Sequence, residues 1–168
     1  MFKKILVPID GTELAEQSLE AALALAQHHQ GAIILVQAIN PDSVWVRDTH
    51  VPARHRHLPS AMSLAQALEA GADYLQALRV YELPGGLEIQ TRIVEGAAAD
   101  SIVNIARAEN ASLITMSSHG YSGLTDWILG SVAERVLRST EVPLLLVRTP
   151  ASRKTARKPA SARKRAHA

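Results

Sequence analysis

The chain has no cysteine among its 168 residues. That excludes disulfides, thiolate metal sites and a cysteine nucleophile, and it suits a reducing cytoplasm, the expected location. No apolar run approaches the roughly 18 residues of a membrane span. Met1-Phe2-Lys3-Lys4 is followed by only one short apolar run before Asp10-Gly11, so no signal peptide is expected. Nothing reads Gly-x4-Gly-Lys-Ser/Thr, so a Walker A loop is missing. Ser117, Ser118 and His119 are adjacent, but no nucleophile elbow surrounds them. Acid is wholly absent from residues 151–168, which carry Arg153, Lys154, Arg157, Lys158, Arg163, Lys164 and Arg165. Removing those seven from the 18 Lys and Arg leaves 11 against 16 acidic residues in 1–150, so the body is near −5 and the tail near +7. The sequence pI of 9.2 therefore belongs to the tail and not to a basic fold.

What is present suits one domain over residues 1–150, with 47% apolar residues to build a core. Ile5-Leu6-Val7-Pro8-Ile9 is a continuous apolar run, as a strand covered on both faces requires, and Pro8 marks its end. Asp10-Gly11-Thr12 reads as a turn with Thr12 capping a helix to about His29, which Gly31 closes as a C′ glycine. Residues 32–39 read as a second buried strand. Residues 40–59, with three prolines, Trp45, His50, His55 and His57, read as a long loop. The histidine spacing suits no common ligand set, so these are expected to be exposed side chains and not a metal site. Helical periodicity covers Ser60 to about Tyr81, interrupted by Gly71. Residues 87–94 alternate, which predicts a half-exposed strand near a sheet edge. A helix through Asn110, a strand over 112–117, a helix to about Thr140 and a strand over 143–148 complete the chain.

Five strands alternating with four helices predict an α/β fold, an open parallel sheet with helices on both faces, Rossmann-like. Ligands in such sheets lie beyond the C-terminal ends of the strands, where the strand order reverses. Ser117–Ser131 is a glycine-bearing loop between a strand and a helix start. Glycines allow close backbone approach and a helix start offers unpaired N–H groups, so the loop could cradle a phosphate, with Ser131 adding a hydroxyl. The spacing fits an ordinary strand-to-helix connection equally well.

The same loop resembles the Gly-x2-Gly-x9-Gly-Ser/Thr nucleotide loop of the universal stress proteins. Gly120, nine intervening residues and Gly130-Ser131 match it, while the first glycine falls on Ser117. The resemblance extends to Lys3–Thr12 and to Val142–Val147, and so spans roughly residues 1–148. It implies the strand order 3-2-1-4-5, which puts the reversal between strands one and four. It also implies an adenine nucleotide, ATP or AMP, contacted by Pro8, Asp10, Gly11, Thr12, Ala38, Met116, Ser117, His119, Gly120, Gly130, Ser131 and Val132. Asp10 and the backbone near Ala38 would face ribose and adenine; Gly120, Gly130, Ser131 and Val132 would face ribose and phosphates. Asp10 would alternatively help hold Mg²⁺ or Mn²⁺ arriving with the nucleotide, or simply cap the first helix. Antiparallel pairing of strands over 142–148 would make a homodimer.

Residues 121–129 contain no Lys or Arg and include Asp126, so backbone amides would hold phosphates with little long-range attraction. With no placed base or lysine, the expectation is a nucleotide-binding regulatory protein of the stress response and not an efficient enzyme. The alternatives are a dimeric interaction module that no longer binds nucleotide, and a weak ATPase or self-phosphorylating protein using Asp10. The tail has no large apolar side chain to bury and is expected to be disordered in isolation. The tail reads as a solubilising extension with no partner, or its cations could attract nucleic acid, an anionic membrane surface or the acidic body, weakly and released by salt. Nucleotide affinity would be independent of the tail unless the tail reaches the phosphate site.

Overall fold

Ile5, Leu6 and Val7 are all fully buried, and alternation along a strand sends Leu6 to the opposite face from its neighbours. Two helical layers are needed to cover such a strand. The computed structural model, which describes residues 1–44, 63–82, 86–118 and 129–148, supplies both. The strands are β1 (Lys4–Pro8), β2 (Ala32–Ile39), β3 (Glu88–Glu95), β4 (Leu113–Ser117) and β5 (Leu144–Val147). They form one parallel sheet in the order β3-β2-β1-β4-β5, as expected. The helices are α1 (Glu13–His29), α2 (Pro41–Val44), α3 (Leu64–Ala77), α4 (Ala98–Ala108) and α5 (Ser131–Ser139).

Ile5, Val7, Ile33 and Leu35 point to one face, where Leu19, Ala22 and Ala26 of α1 and Leu75 of α3 pack on them. Leu6, Val36, Ile114 and Met116 point to the other, under Ile102 and Ala106 of α4 and Ala133 and Val136 of α5. Each fully buried Leu or Ile is worth about 1.5–3 kcal/mol over its exposed state. β1 lies centrally between β2 and β4, so the core is densest around it. β3 is an edge strand with mostly half-buried residues, matching its alternating sequence.

Local chemistry sets the helix ends, in some places otherwise than expected. Thr12 does cap α1: its Oγ1 accepts the Ala15 N–H at 3.1 Å. At the other end Gln30, and not Gly31, takes the left-handed conformation, with φ of 50°. Gly31 follows it and donates to the Ala26 carbonyl at 2.9 Å, as the residue two beyond the last helical one does in a Schellman cap. Glycine is required there for space, because a Cβ would lie 2.7 Å from the Phe2 carbonyl oxygen. Asn110, at φ of 52°, ends α4 in the same way.

The segment expected as a loop from residue 40 begins with the short helix α2. Asn40 Oδ1 accepts the Asp42 N–H at 3.1 Å, and Pro41 fits the first helical position. Residues 45–62, with all three loop histidines, lie outside the described residues. The helix predicted from Ser60 starts at Leu64, where Ser63 and Gln66 form a reciprocal capping box. It is α-helical to Ala77 and continues as a π-helical turn over Leu78–Glu82. Gly71 sits where α3 crosses the sheet: a Cβ there would lie 3.0 Å from Gln37 Oε1 and 3.2 Å from Ile93 Cδ1. Among the described residues no helix is long and apolar enough to cross a membrane.

Candidate functional site

The strand order reverses between β1 and β4, and the C-terminal ends of both strands open at one mouth. From β1 come Pro8, the last strand residue, and Ile9, whose N–H still pairs with the Val36 carbonyl at 2.8 Å. The chain then leaves the sheet at Asp10, which is exposed. Asp10 Oδ1 accepts the Thr12 N–H at 3.0 Å and the Thr12 hydroxyl at 2.6 Å. Gly11 between them has φ of 80°, a conformation that favours glycine. Asp10 thus closes the turn, while Thr12 and not Asp10 caps α1, and these bonds use one of the two Asp10 carboxylate oxygens. Ala38 lies further along β2, half-buried and paired with Val94.

From β4 come Met116 and Ser117. Met116 is buried among the α4 and α5 side chains, so only its backbone is available at the mouth. Ser117 is half-buried and in register with Val147 of β5. The next residue, Ser118, was not among the expected contacts, yet it organises the junction. Its N–H donates to the Val147 carbonyl at 3.0 Å, and its carbonyl accepts the Gly130 N–H at 2.9 Å. The loop that leaves β4 thus returns to its own root before α5 begins. His119 and Gly120 lie within 119–128, outside the described residues.

Gly130 is the residue before α5, and no side chain caps the helix. Its carbonyl accepts the Glu134 N–H at 2.8 Å, leaving the amides of the first turn, Ser131 to Ala133, without intrahelical acceptors. Ser131 and Val132 are exposed. Glu134 in the first turn would oppose an anion, but Arg138 holds it through two bonds of 3.1 and 2.9 Å. Backbone amides with a hydroxyl at a positive helix end are suited to phosphate or carboxylate oxygens. The expected contacts Pro8, Asp10, Gly11, Thr12, Met116, Ser117, Gly130, Ser131 and Val132 thus all fall on the C-terminal ends of β1 and β4 or on the segments that follow them. Ala38 is one strand away.

The described residues include no group of three His, Asp or Glu side chains able to hold a metal ion unaided. A depression of about 510 Å³ bounded by Lys3, Gln27, Gly31 and Glu88 lies at the N-terminal ends of the strands, opposite the mouth. It is remote from the helix start and the turn just described.

Comparison with known proteins agrees with this architecture. The sequence profile of the Universal stress protein family matches residues 1–148. The universal stress protein YxiE of Bacillus subtilis is 30% identical over 152 residues, covering 88% of this chain and 100% of that protein. The solved structure of Methanocaldococcus jannaschii MJ0577 superposes with a TM-score of 0.73 at 28% identity, covering 90% of this chain and 99% of the other. Two more distant solved structures share the fold. One is a universal stress protein in complex with cAMP, at TM-score 0.56 and 22% identity over 88% of this chain and 97% of that one. The other, from Archaeoglobus fulgidus in complex with dAMP, has TM-score 0.55 and 19% identity over 87% of this chain and 98% of that one. With its sheet order, its three matching sequence segments and this profile in agreement, the chain belongs to the universal stress protein family.

Proposed function

We propose that this protein binds an adenine nucleotide, ATP or AMP, at the mouth between β1 and β4, and acts as a regulatory protein of the stress response in the cytoplasm. The observation that carries the reading is the junction at Ser118 and Gly130, which delivers the uncapped start of α5 to the strand-order reversal. In this reading the amides of Ser131 and Val132 bind phosphate oxygens, joined by the Ser131 hydroxyl and by His119 and Gly120, while Gly130, whose own N–H is held by the Ser118 carbonyl, leaves room beside them. Asp10, with Pro8, Gly11 and Thr12, meets the ribose. The backbone at Ala38 meets the adenine, and the backbone of Met116 and Ser117 forms the floor. The capture of relatives of the same fold with cAMP and with dAMP supports an adenylate as the ligand class.

Asp10 has a carboxylate oxygen left by its turn bonds, and it would accept a ribose hydroxyl or help hold Mg²⁺ or Mn²⁺ carried by the nucleotide. The protein is proposed to act as a homodimer through β5, the other edge strand, whose four residues are all half-buried apolar side chains. Gly130→Val tests the site directly. The added side chain should fill the space beside the phosphates and abolish nucleotide binding in an equilibrium titration, and unchanged affinity would place the ligand elsewhere.

A further inference from the structure

The strand β5 ends beside the root of the β4–α5 loop, and the residue that follows it is a cation, Arg148. Leu144 and Leu146 pack with the side chains of α4 and α5, whereas Leu145 packs on the opposite face of the sheet. Alternation therefore carries Arg148 to the face that α5 covers. Register fixes its height along that face. Ser117 lies beside Val147, and the Val147 carbonyl accepts the Ser118 N–H at 3.0 Å. Arg148 is thus the neighbour of Ser118, one strand spacing or about 4.8 Å away. The Ser118 carbonyl in turn holds the Gly130 N–H at 2.9 Å, immediately before α5. Arg148 is exposed, so its guanidinium is accessible to a ligand. The neighbouring charges set a direction. On α5, Arg138 is held by Glu134 at 2.9 Å and Arg135 by Asp100 at 3.0 Å. Across β4, on the β1 side, stands the exposed Asp10. The mouth thus runs from an anion after β1, over the amides that start α5, to a cation after β5.

We propose that Arg148 binds the outer phosphates of the nucleotide and makes this mouth favour ATP and ADP over AMP. The inference rests on the nucleotide reading above and deepens it with a specificity-determining residue. A nucleotide carries hydroxyls at its ribose and negative charge at its phosphates. That polarity matches Asp10 at the β1 side and Arg148 at the β5 side. With the ribose at Asp10, the first phosphate falls over β4, at the amides of Ser131 and Val132. Further phosphates extend towards β5, where the register puts Arg148. A planar guanidinium pairs bidentately with phosphate oxygens, and such charge-assisted bonds are about twice as strong as neutral ones. The monophosphate ends short of Arg148, and amides at a helix start hold an oxyanion without counting phosphates.

The test uses the full chain and two full-length variants, Arg148→Gln and Arg148→Lys. Each is titrated with ATP, ADP and AMP at about 50 and about 200 mM salt, and its mass is followed by light scattering. Arg148→Gln should weaken ATP roughly tenfold at the lower salt and AMP by less than about threefold. It should also flatten the salt dependence for ATP. Arg148→Lys should recover part of the ATP affinity, because lysine keeps the charge and loses the bidentate geometry. An equal loss for all three nucleotides would make Arg148 a structural residue and overturns the inference. Equal ATP affinity in Arg148→Gln and the unmodified chain overturns it too, and leaves the nucleotide reading standing. A loss of ATP affinity that accompanies a drop in mass also overturns it, and assigns Arg148 to the pairing of two chains along β5. If the unmodified chain takes up none of the three, the nucleotide reading falls and this inference falls with it.

Discussion

A methyl group added at Gly31 would sit 2.7 Å from the Phe2 carbonyl oxygen and 3.1 Å from that of Lys3. These are backbone atoms at the start of β1, and they cannot rotate away. Gly31→Ala should therefore destabilise the fold by about 1–3 kcal/mol, the usual cost of overpacking, read as a lower urea midpoint. A midpoint equal to that of the unmodified protein would show that β1 and β2 yield more easily than their packing implies. Glu109 is a second residue with a readable consequence. Its Oε1 accepts bonds from Arg92 at 3.0 and 2.7 Å, and Lys4 lies 3.6 Å from Oε2. The Arg92 bonds foremost hold its carboxyl below the ordinary value of 4.5, outweighing the opposing effect of partial burial. A carboxylate so depressed stabilises the fold above its unfolded value and loses that contribution as pH falls through the folded one. The stability difference between the protein and Glu109→Gln should thus be present at neutral pH and fade below about pH 4.5. A difference that stays constant down through that range would contradict the assignment.

Elements were legible to the extent that their own residues determine them. β1, β2 and β4 are continuous apolar runs, and their burial on both faces follows directly. Thr12 was legible as a cap because its hydroxyl acts three residues away. Thr12→Ala should cost about 1 kcal/mol through loss of the Ala15 bond, and more if release of Asp10 loosens the turn. Thermal unfolding unchanged by the substitution would deny the cap its role. The π-helical turn at Leu78 and the left-handed Gln30 were not legible, because each depends on what the chain packs against afterwards. The edge at β5 has its own test. The carbonyls of Pro143 and Val147 face β4, so the backbone groups of Leu144 and Leu146 face outward along the edge. Leu146→Pro removes an outward N–H without touching the ladder to β4. Light scattering should report a dimer for the unmodified chain and a monomer for this variant. A monomer in both would remove β5 pairing from the account.

At the scale of the whole molecule, sequence and structure meet on the reversal between β1 and β4. The order 3-2-1-4-5 came from the family resemblance and not from periodicity, which cannot tell neighbouring strands apart; the structure has that order. The placement of Asp10 and of Gly130 with Ser131 at one mouth follows from it. Ser118 is not legible in the sequence because its role is carried by its backbone, and no side-chain motif announces a carbonyl that closes a loop. The place of Val147 beside Ser117 is equally invisible in the sequence, since it depends on the β4–β5 register. The central claim is that this mouth binds an adenine nucleotide. Isothermal titration of the full chain with ATP, ADP and AMP, with and without Mg²⁺, tests it most directly. Saturable binding of at least one of them at one site per chain is expected, whereas no saturable heat from any of the three would contradict nucleotide binding at this mouth and leave a nucleotide-free interaction module.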